Sequence, residues 1–289
     1  MQRRQFQIRL AAGLAAFAAL PGCAQQKMRG SRSEDWAAIE AGSGGRMGIA
    51  VMQADGRIEG HRLDERFPMC STFKWLAAAH VLHRVDRGEE RLDRHIPFGP
   101  EVLLPHSPVT SRHAGKGMTL GDLCHATITT SDNAAGNLVL RSFGGPEGLT
   151  RYARSLGDAV TRLDRWETEL NEAAPGDPRD TSSPRAMARL LHATLVGDAL
   201  SAASRRQLAQ WLEATTTNGQ RLRAGLPSGW RMGSKTGTGA RGTANDVGIF
   251  WPPGRPPVLV AAFITQSDAT DTARNIAIAS VARRVTSAA

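Results

Sequence analysis

The apolar pattern changes period twice along the chain, and this limits the folds open to it. GRMGIAVMQADG, near the start, alternates and closes on an Asp-Gly turn, so it reads as a strand. RIEGHRLDERF follows as a second strand or extended segment. From Ser71 to about Leu212 apolar residues recur at helical spacing, interrupted by loops at EVLLPHSPVTSRHAGKG and DRWETELNEAAPGDPRDTSSP. Beyond Trp230, GWRMGSKTGTG, ANDVGIFWP and PPVLVAAFITQ return to strand character, rich in β-branched and apolar residues and bounded by Gly and Pro. TARNIAIASVARRV closes the chain as a helix, and EDWAAIEA is a short helix ahead of the first strand. Strands at both ends with helices between are satisfied most economically when the terminal strands share one sheet. The expectation is an α+β fold in two parts. Residues 34–70 and 213–289 supply an antiparallel five-stranded sheet flanked by helices, and residues 71–212 form an all-helical part. The cleft between them is the first place to look for a site.

The first residues belong to neither part. MQRRQFQIRLAAGLAAFAALPGCAQQ places Arg3, Arg4 and Arg9 before a short Ala/Leu-rich core and then small residues. It reads as an export signal over 1–22, too short to be a good membrane span, followed by a polar linker over 23–33. Arg3-Arg4 with Phe6 points to twin-arginine export. Leu20-Pro21-Gly22-Cys23 reads as a lipoprotein site that would anchor the protein to the outer membrane through an acylated Cys23; ordinary cleavage after Gly22 is the alternative. The expected location is therefore the periplasm. Export also bears on the net charge of +9, three units of which are the leader arginines. A basic chain invites a nucleic-acid reading, but the arginines are scattered and aromatics make up only 5% of residues, so the charge is read as a solvated surface. Of three cysteines, Cys70 and Cys124 lie outside the leader, both in helix-like runs, and both are expected to be free.

Four short stretches carry chemistry. In MCSTFKW, Ser71 and Lys74 stand about one helical turn apart on a shared face, at a helix start where backbone N–H groups are free. A lysine desolvated beside a serine can act as its base; a solvated Ser and Lys is the plain alternative. In TTSDNAAGN, Ser131-Asp132-Asn133 stands between two helices, where a simple N-cap would explain it. GSKTGTGARG puts Lys235-Thr236-Gly237 on a strand among glycines that permit close approach. RWETELN holds Glu167 and Asn171 in a loop otherwise read as a solvated acidic turn.

Taken together and in this order, the four stretches resemble the class A serine β-lactamases, over nearly all of the chain from about Glu34. Ser-x-x-Lys, Ser-Asp-Asn and Lys-Thr-Gly mark that family and the penicillin-binding proteins, while the Glu167 segment separates the lactamases from the transpeptidases. The resemblance implies hydrolysis of penicillins and cephalosporins through an acyl-enzyme, by a monomer without metal or cofactor. It implies that Ser71 is the nucleophile, with Lys74 or Glu167 taking its proton. Glu167 and Asn171 hold the deacylating water, and Ser131 passes a proton to the lactam nitrogen. Asn133 binds the substrate's side-chain amide. Lys235, Thr236 and Ser131 hold its carboxylate with support from Arg221, Gly237 lies in the binding strand, and the N–H groups of Ser71 and Thr238 form the oxyanion hole. Arg165 and Asp180 match a pair that closes the neck of the Glu167 loop. Ala78 replaces a cysteine that some members pair with the position of Cys124, and Gly239 replaces one that carbapenem-hydrolysing members pair with the position of Cys70. His106 stands where an aromatic often lines the cleft mouth, and Thr130 where tyrosine is common. Two other readings remain at this level: a D,D-peptidase or esterase with the same serine and lysine, and a non-catalytic binder of cell-wall peptides or β-lactams.

Overall fold

The computed structural model describes residues 36–287. The readings for the export signal and linker lie outside those residues. Within them the order is a helix α1 over 36–42, then β1 (Arg46–Gln53), β2 (Ile58–His61), β3 (Phe67–Pro68), α2 (Phe73–Asp86), β4 (His95–Ile96), β5 (Met118–Thr119), α3 (Leu120–Thr129), α4 (Asn133–Arg141), α5 (Gly145–Ser155), β6 (Thr181–Ser182), α6 (Pro184–Leu195), α7 (Ala202–Glu213), β7 (Arg231–Gly239), β8 (Thr243–Trp251), β9 (Val258–Thr265) and α8 (Asp271–Ser287).

Five strands form one sheet in the order β2-β1-β9-β8-β7, every pair antiparallel. Both faces of the sheet are covered. Along β9, Leu259, Ala261 and Phe263 enter the core shared with the middle helices, while Val258, Val260, Ala262 and Ile264 enter a second core with Trp36 and the α8 residues Ile278, Val281 and Val285. That is why PPVLVAAFITQ reads as a continuous apolar run rather than an alternating one. The helical part is organised on α2, whose residues Phe73 to Ala79 are all buried. Six of these seven are apolar, and a stretch so nearly apolar on every side belongs in an interior; burying a side chain the size of Phe73 contributes about 1.5–3 kcal/mol. Among the described residues no helix is long and apolar enough to cross a membrane.

Two small antiparallel pairs, β3–β6 and β4–β5, are added to the main sheet; β3 starts at the end of the segment read as extended, while β4, β5 and β6 fall in what the sequence reads as helix and loop. Two-residue strands carry no readable period, so pattern alone gives no sign of them. The first matters for the site. Phe67 pairs with Ser182 and Pro68 with Thr181, and the Met69 N–H donates to the Asp180 carbonyl at 2.9 Å. The end of the Glu167 loop is thereby fixed to the segment that delivers Ser71.

Candidate active site

Ser71 lies in a 3-10 turn, Cys70–Thr72, that runs into α2. Cys70 holds φ +46°, a left-handed conformation that non-glycine residues rarely adopt. The turn is pinned from outside. Asn245 of β8 donates from Nδ2 to the carbonyls of Pro68 (2.8 Å) and Met69 (3.1 Å). Strand β7 presses so closely that a Cβ on Gly237 would stand 2.7 Å from the Met69 oxygen, so only glycine fits there. The backbone after Gly237 is brought beside Ser71 as a result.

Ser71, Lys74 and Glu167 form a buried triangle. Lys74 Nζ donates to Ser71 Oγ at 3.0 Å, Ser71 Oγ donates to Glu167 Oε1 at 3.1 Å, and Lys74 Nζ stands 2.9 Å from the same carboxylate oxygen. Lys74 also donates to Asn133 Oδ1 (2.6 Å) and the Ser131 carbonyl (2.9 Å). Burial pulls the Lys74 pKa below that of a free lysine, with Glu167 acting in the opposite direction. Asn171 Nδ2 donates to Glu167 Oε2 at 2.6 Å, while Asn171 Oδ1 is buried with no hydrogen-bond partner. The Glu167–Thr168 peptide is cis.

The Ser131-Asp132-Asn133 turn divides its side chains. Asp132 caps α4 through the Ala135 N–H and takes the N–H groups of Val109 and Thr110 as well. The N-cap reading is therefore true of the middle residue, while its neighbours face the lysines. Ser131, with φ +61°, receives Lys235 Nζ on its hydroxyl at 3.0 Å. Asn133 bridges Lys74 to the Pro105 carbonyl, which takes its Nδ2 at 2.8 Å. Lys235 is fully buried, and burial together with the nearby Lys74 charge pulls its pKa well below the ordinary lysine value.

Around Lys235 lies a cationic corner. Thr236 shares a 2.6 Å hydroxyl contact with Thr217. Arg221 donates from Nε to Asn275 Oδ1 (3.0 Å), from Nη1 to the carbonyls of Gly237 (2.8 Å) and Asn245 (2.7 Å), and from Nη2 to Thr238 Oγ1 (2.8 Å). The Thr238 hydroxyl accepts from Arg221 and keeps its own hydrogen to donate. Arg165 and Asp180 do meet, although not as a two-pronged pair. Arg165 Nε donates to Asp180 Oδ2 at 2.6 Å and Nη1 reaches Glu172 at 2.6 Å, while Asp180 Oδ1 takes the N–H groups of Asp164 and Arg165.

All eleven residues singled out from the sequence lie at this one cleft or on the strand and loop that border it. Sequence reasoning missed Asn137, which receives the Glu167 N–H on Oδ1 and donates from Nδ2 to the Glu167 carbonyl, each at 3.0 Å. It also missed Asn245 and Thr217. A polar residue buried in an apolar helix or strand is the only signal that Asn137 and Asn245 give, and Thr217, exposed in a loop, gives none. Cys70 and Cys124 are buried and free, and burial raises both thiol pKa values. Gly239 and Cys70 nonetheless touch, since a Cβ on Gly239 would lie 2.6 Å from Cys70 Sγ. His106 is exposed, with Nε2 donating to the Thr130 carbonyl at 2.8 Å. Cavities of about 450 and 520 Å³ elsewhere, beside Trp36 and beside Tyr152, include none of these residues.

Residues 31–289 match the model of the β-lactamase enzyme family. Beta-lactamase AST-1 of Nocardia asteroides is 48% identical over 254 residues, covering 88% of this chain and 82% of that protein. The carbapenem-hydrolyzing beta-lactamase KPC of Klebsiella oxytoca is 44% identical over 253 residues, covering 87% of this chain and 86% of that protein. The solved structure of an ancestral (GNCA) class A β-lactamase superposes with a TM-score of 0.88 at 58% identity, over 89% of this chain and 99% of that one. With the serine, lysine and glutamate gathered at the cleft, these likenesses place the chain in the β-lactamase enzyme family, as a class A serine enzyme that hydrolyses β-lactam antibiotics.

Proposed function

We propose that Ser71 attacks the lactam carbonyl while the Lys74–Glu167 pair takes up its proton. The observation that carries this reading is the triangle itself, in which Ser71 Oγ lies within 3.1 Å of both bases. Lys74 already meets two pure acceptors, Asn133 Oδ1 and the Ser131 carbonyl. Its neutral form can satisfy both and still turn a lone pair to Ser71. Glu167 accepts the serine hydrogen directly, so either member of the pair is placed to act. The N–H groups of Ser71 and Thr238 stabilise the oxyanion. Ser131, between Lys74 and Lys235, hands a proton to the leaving nitrogen.

Acylation removes the Ser71 hydrogen and frees Glu167 Oε1 of that donor. The carboxylate then takes a proton from water, whose second hydrogen finds an acceptor in the unpartnered Asn171 Oδ1. This water-activating arrangement favours hydrolysis over transpeptidation. The substrate carboxylate lies against Lys235, the hydroxyls of Ser131, Thr236 and Thr238, and Arg221, while Asn133 takes the side-chain amide. Penicillins and cephalosporins are the substrates on this reading, with little turnover of carbapenems, because Gly239 denies Cys70 a bridge. Mixing the purified protein with a chromogenic cephalosporin tests the reading. Rapid colour lost in Ser71→Ala supports it, and unchanged hydrolysis by that variant overturns it.

The protein acts as an exported monomer. Support for export lies in the arginines and apolar core of the leader and in the Cys23 that follows it. Support for the monomer is that, among the described residues, Ile276 alone is a strongly exposed large apolar side chain. Intact mass of the mature protein distinguishes acylated Cys23 from simple cleavage after Gly22.

A further inference from the structure

Asp246 of β8 is fully buried beneath the carboxylate-binding corner and belongs to none of the motifs. Its Oδ2 accepts the Leu222 N–H at 3.1 Å, and it also accepts from the Ser234 hydroxyl. Leu222 directly follows Arg221, and Ser234 directly precedes Lys235. Asp246 is also the cross-strand partner of Thr236. One carboxylate thus grips the backbone beside one cation of the anion site and the side chain beside the other. The second oxygen, Oδ1, is buried without a hydrogen-bond partner, so its charge is answered by Arg221 and Lys235 through space.

We infer that Asp246 is a positioning residue for substrate binding: its hydrogen bonds set the placement of Arg221 and Lys235, and its buried carboxylate supplies the negative charge beneath the two cations. The second role follows from the surroundings. Lys235 is disfavoured as a cation by burial and by Lys74 and Arg221, and Asp246 and Glu167 are the carboxylates that oppose this. Asp271 and Arg274 of α8 act on Arg221 with opposite signs. A β-lactam carboxylate needs Lys235 charged on arrival, so the effect falls on binding more than on chemistry.

Two substitutions separate geometry from charge. Asp246→Asn keeps an acceptor for Leu222 and Ser234 and removes the charge, whereas Asp246→Ala removes both. For a penicillin, Asp246→Ala is expected to raise KM roughly tenfold with kcat changed by less than about threefold, the split that marks lost ground-state binding. Asp246→Asn is expected to recover much of that KM at pH 6–7. Its KM should then begin to rise at a lower pH than in the wild type, because Lys235 loses its proton sooner. Circular dichroism establishes that each variant is folded. If Asp246→Ala does not fold, Asp246→Val, closer in volume and equally without an acceptor, takes its place in the test of positioning. A wild-type KM and pH profile in Asp246→Asn overturns the charge role, and a folded Asp246→Ala with unchanged KM, or with only kcat lowered, overturns the positioning role.

Discussion

Replacing Glu167 by Gln should convert this enzyme from one that turns over into one that stops at the ester. The substitution keeps the volume of a side chain that is almost wholly buried, so packing changes little. It removes the carboxylate 2.9 Å from Lys74 Nζ. A buried ammonium left without its partner would cost about 3–5 kcal/mol, and Lys74 avoids that cost by shedding its proton. Burial already pulls its pKa down, and Glu167 is the leading influence holding it up. The neutral amine, 3.0 Å from Ser71 Oγ, can then serve as the base for attack. Acylation therefore survives.

Deacylation has no such substitute. Lys74 Nζ remains tied to Asn133, Ser131 and Ser71, while the water site beside Asn171 loses its proton acceptor. A positioned general base contributes roughly 10²–10⁴ in rate, equal to about 3–5 kcal/mol of barrier. Stopped-flow mixing of Glu167→Gln with a chromogenic cephalosporin should show a burst of about one equivalent followed by very slow turnover. Intact mass should show a lasting adduct on Ser71. An unmodified mass with no burst, alongside lowered kcat, would mean that Glu167 is required for acylation and would refute the division of labour argued from the triangle.

Further expectations concern the loop, the binding strand and pH. Asp180→Asn weakens the grip on Arg165 Nε and the N–H groups of Asp164 and Arg165; it should lose more hydrolysis of small penicillins than of bulky cephalosporins, and equal losses at wild-type stability would count against the clamp. Thr238→Ala removes a hydroxyl whose hydrogen is still available to a substrate carboxylate. Cephalosporin kcat/KM should fall by roughly tenfold, the equivalent of about 1.5 kcal/mol for one charge-assisted bond, with penicillins less affected; a uniform fall would discard the idea. Burial raises the Asp246 carboxyl pKa from 3.8 to about 6. Between those values the folded protein keeps a proton that the unfolded chain has released, so the contribution of this group to stability falls as pH rises through the window, by about 3 kcal/mol in all. Thermal melts of wild type and Asp246→Asn from pH 4 to 7 should diverge with the wild type losing ground, and parallel curves would contradict the assignment.

What the sequence reveals of this molecule is set by the range of its signals. The strands β8 and β9 are visible because burial on two faces leaves apolar runs, β7 because its glycines and threonines stand between turn residues, and the helix α8 because its apolar residues recur at helical spacing. Ser71, Lys74, Ser131, Asn133, Lys235 and Thr236 are visible because each lies within a three- or four-residue motif, so that several weak signals reinforce one another. Asn137, Asn245 and Asp246 have no such company. Each lies outside the motif triplets in an element that is mostly apolar, and each acts on a partner far along the chain; Asn245 and the Met69 carbonyl it holds are 176 positions apart. Asn245 and Asp246 also show why adjacency in sequence misleads. On a strand, successive side chains point to opposite faces, and here Asn245 reaches the turn of Ser71 while Asp246 reaches Leu222 beside Arg221. Two neighbours thus hold the turn of Ser71 and the turn of Arg221 from opposite sides of β8. Period alone marks both as half of a strand's alternation. Their separate tasks follow from β7 being the edge strand of the sheet, with the Ser71 turn against one face of the pair and the Arg221 turn against the other.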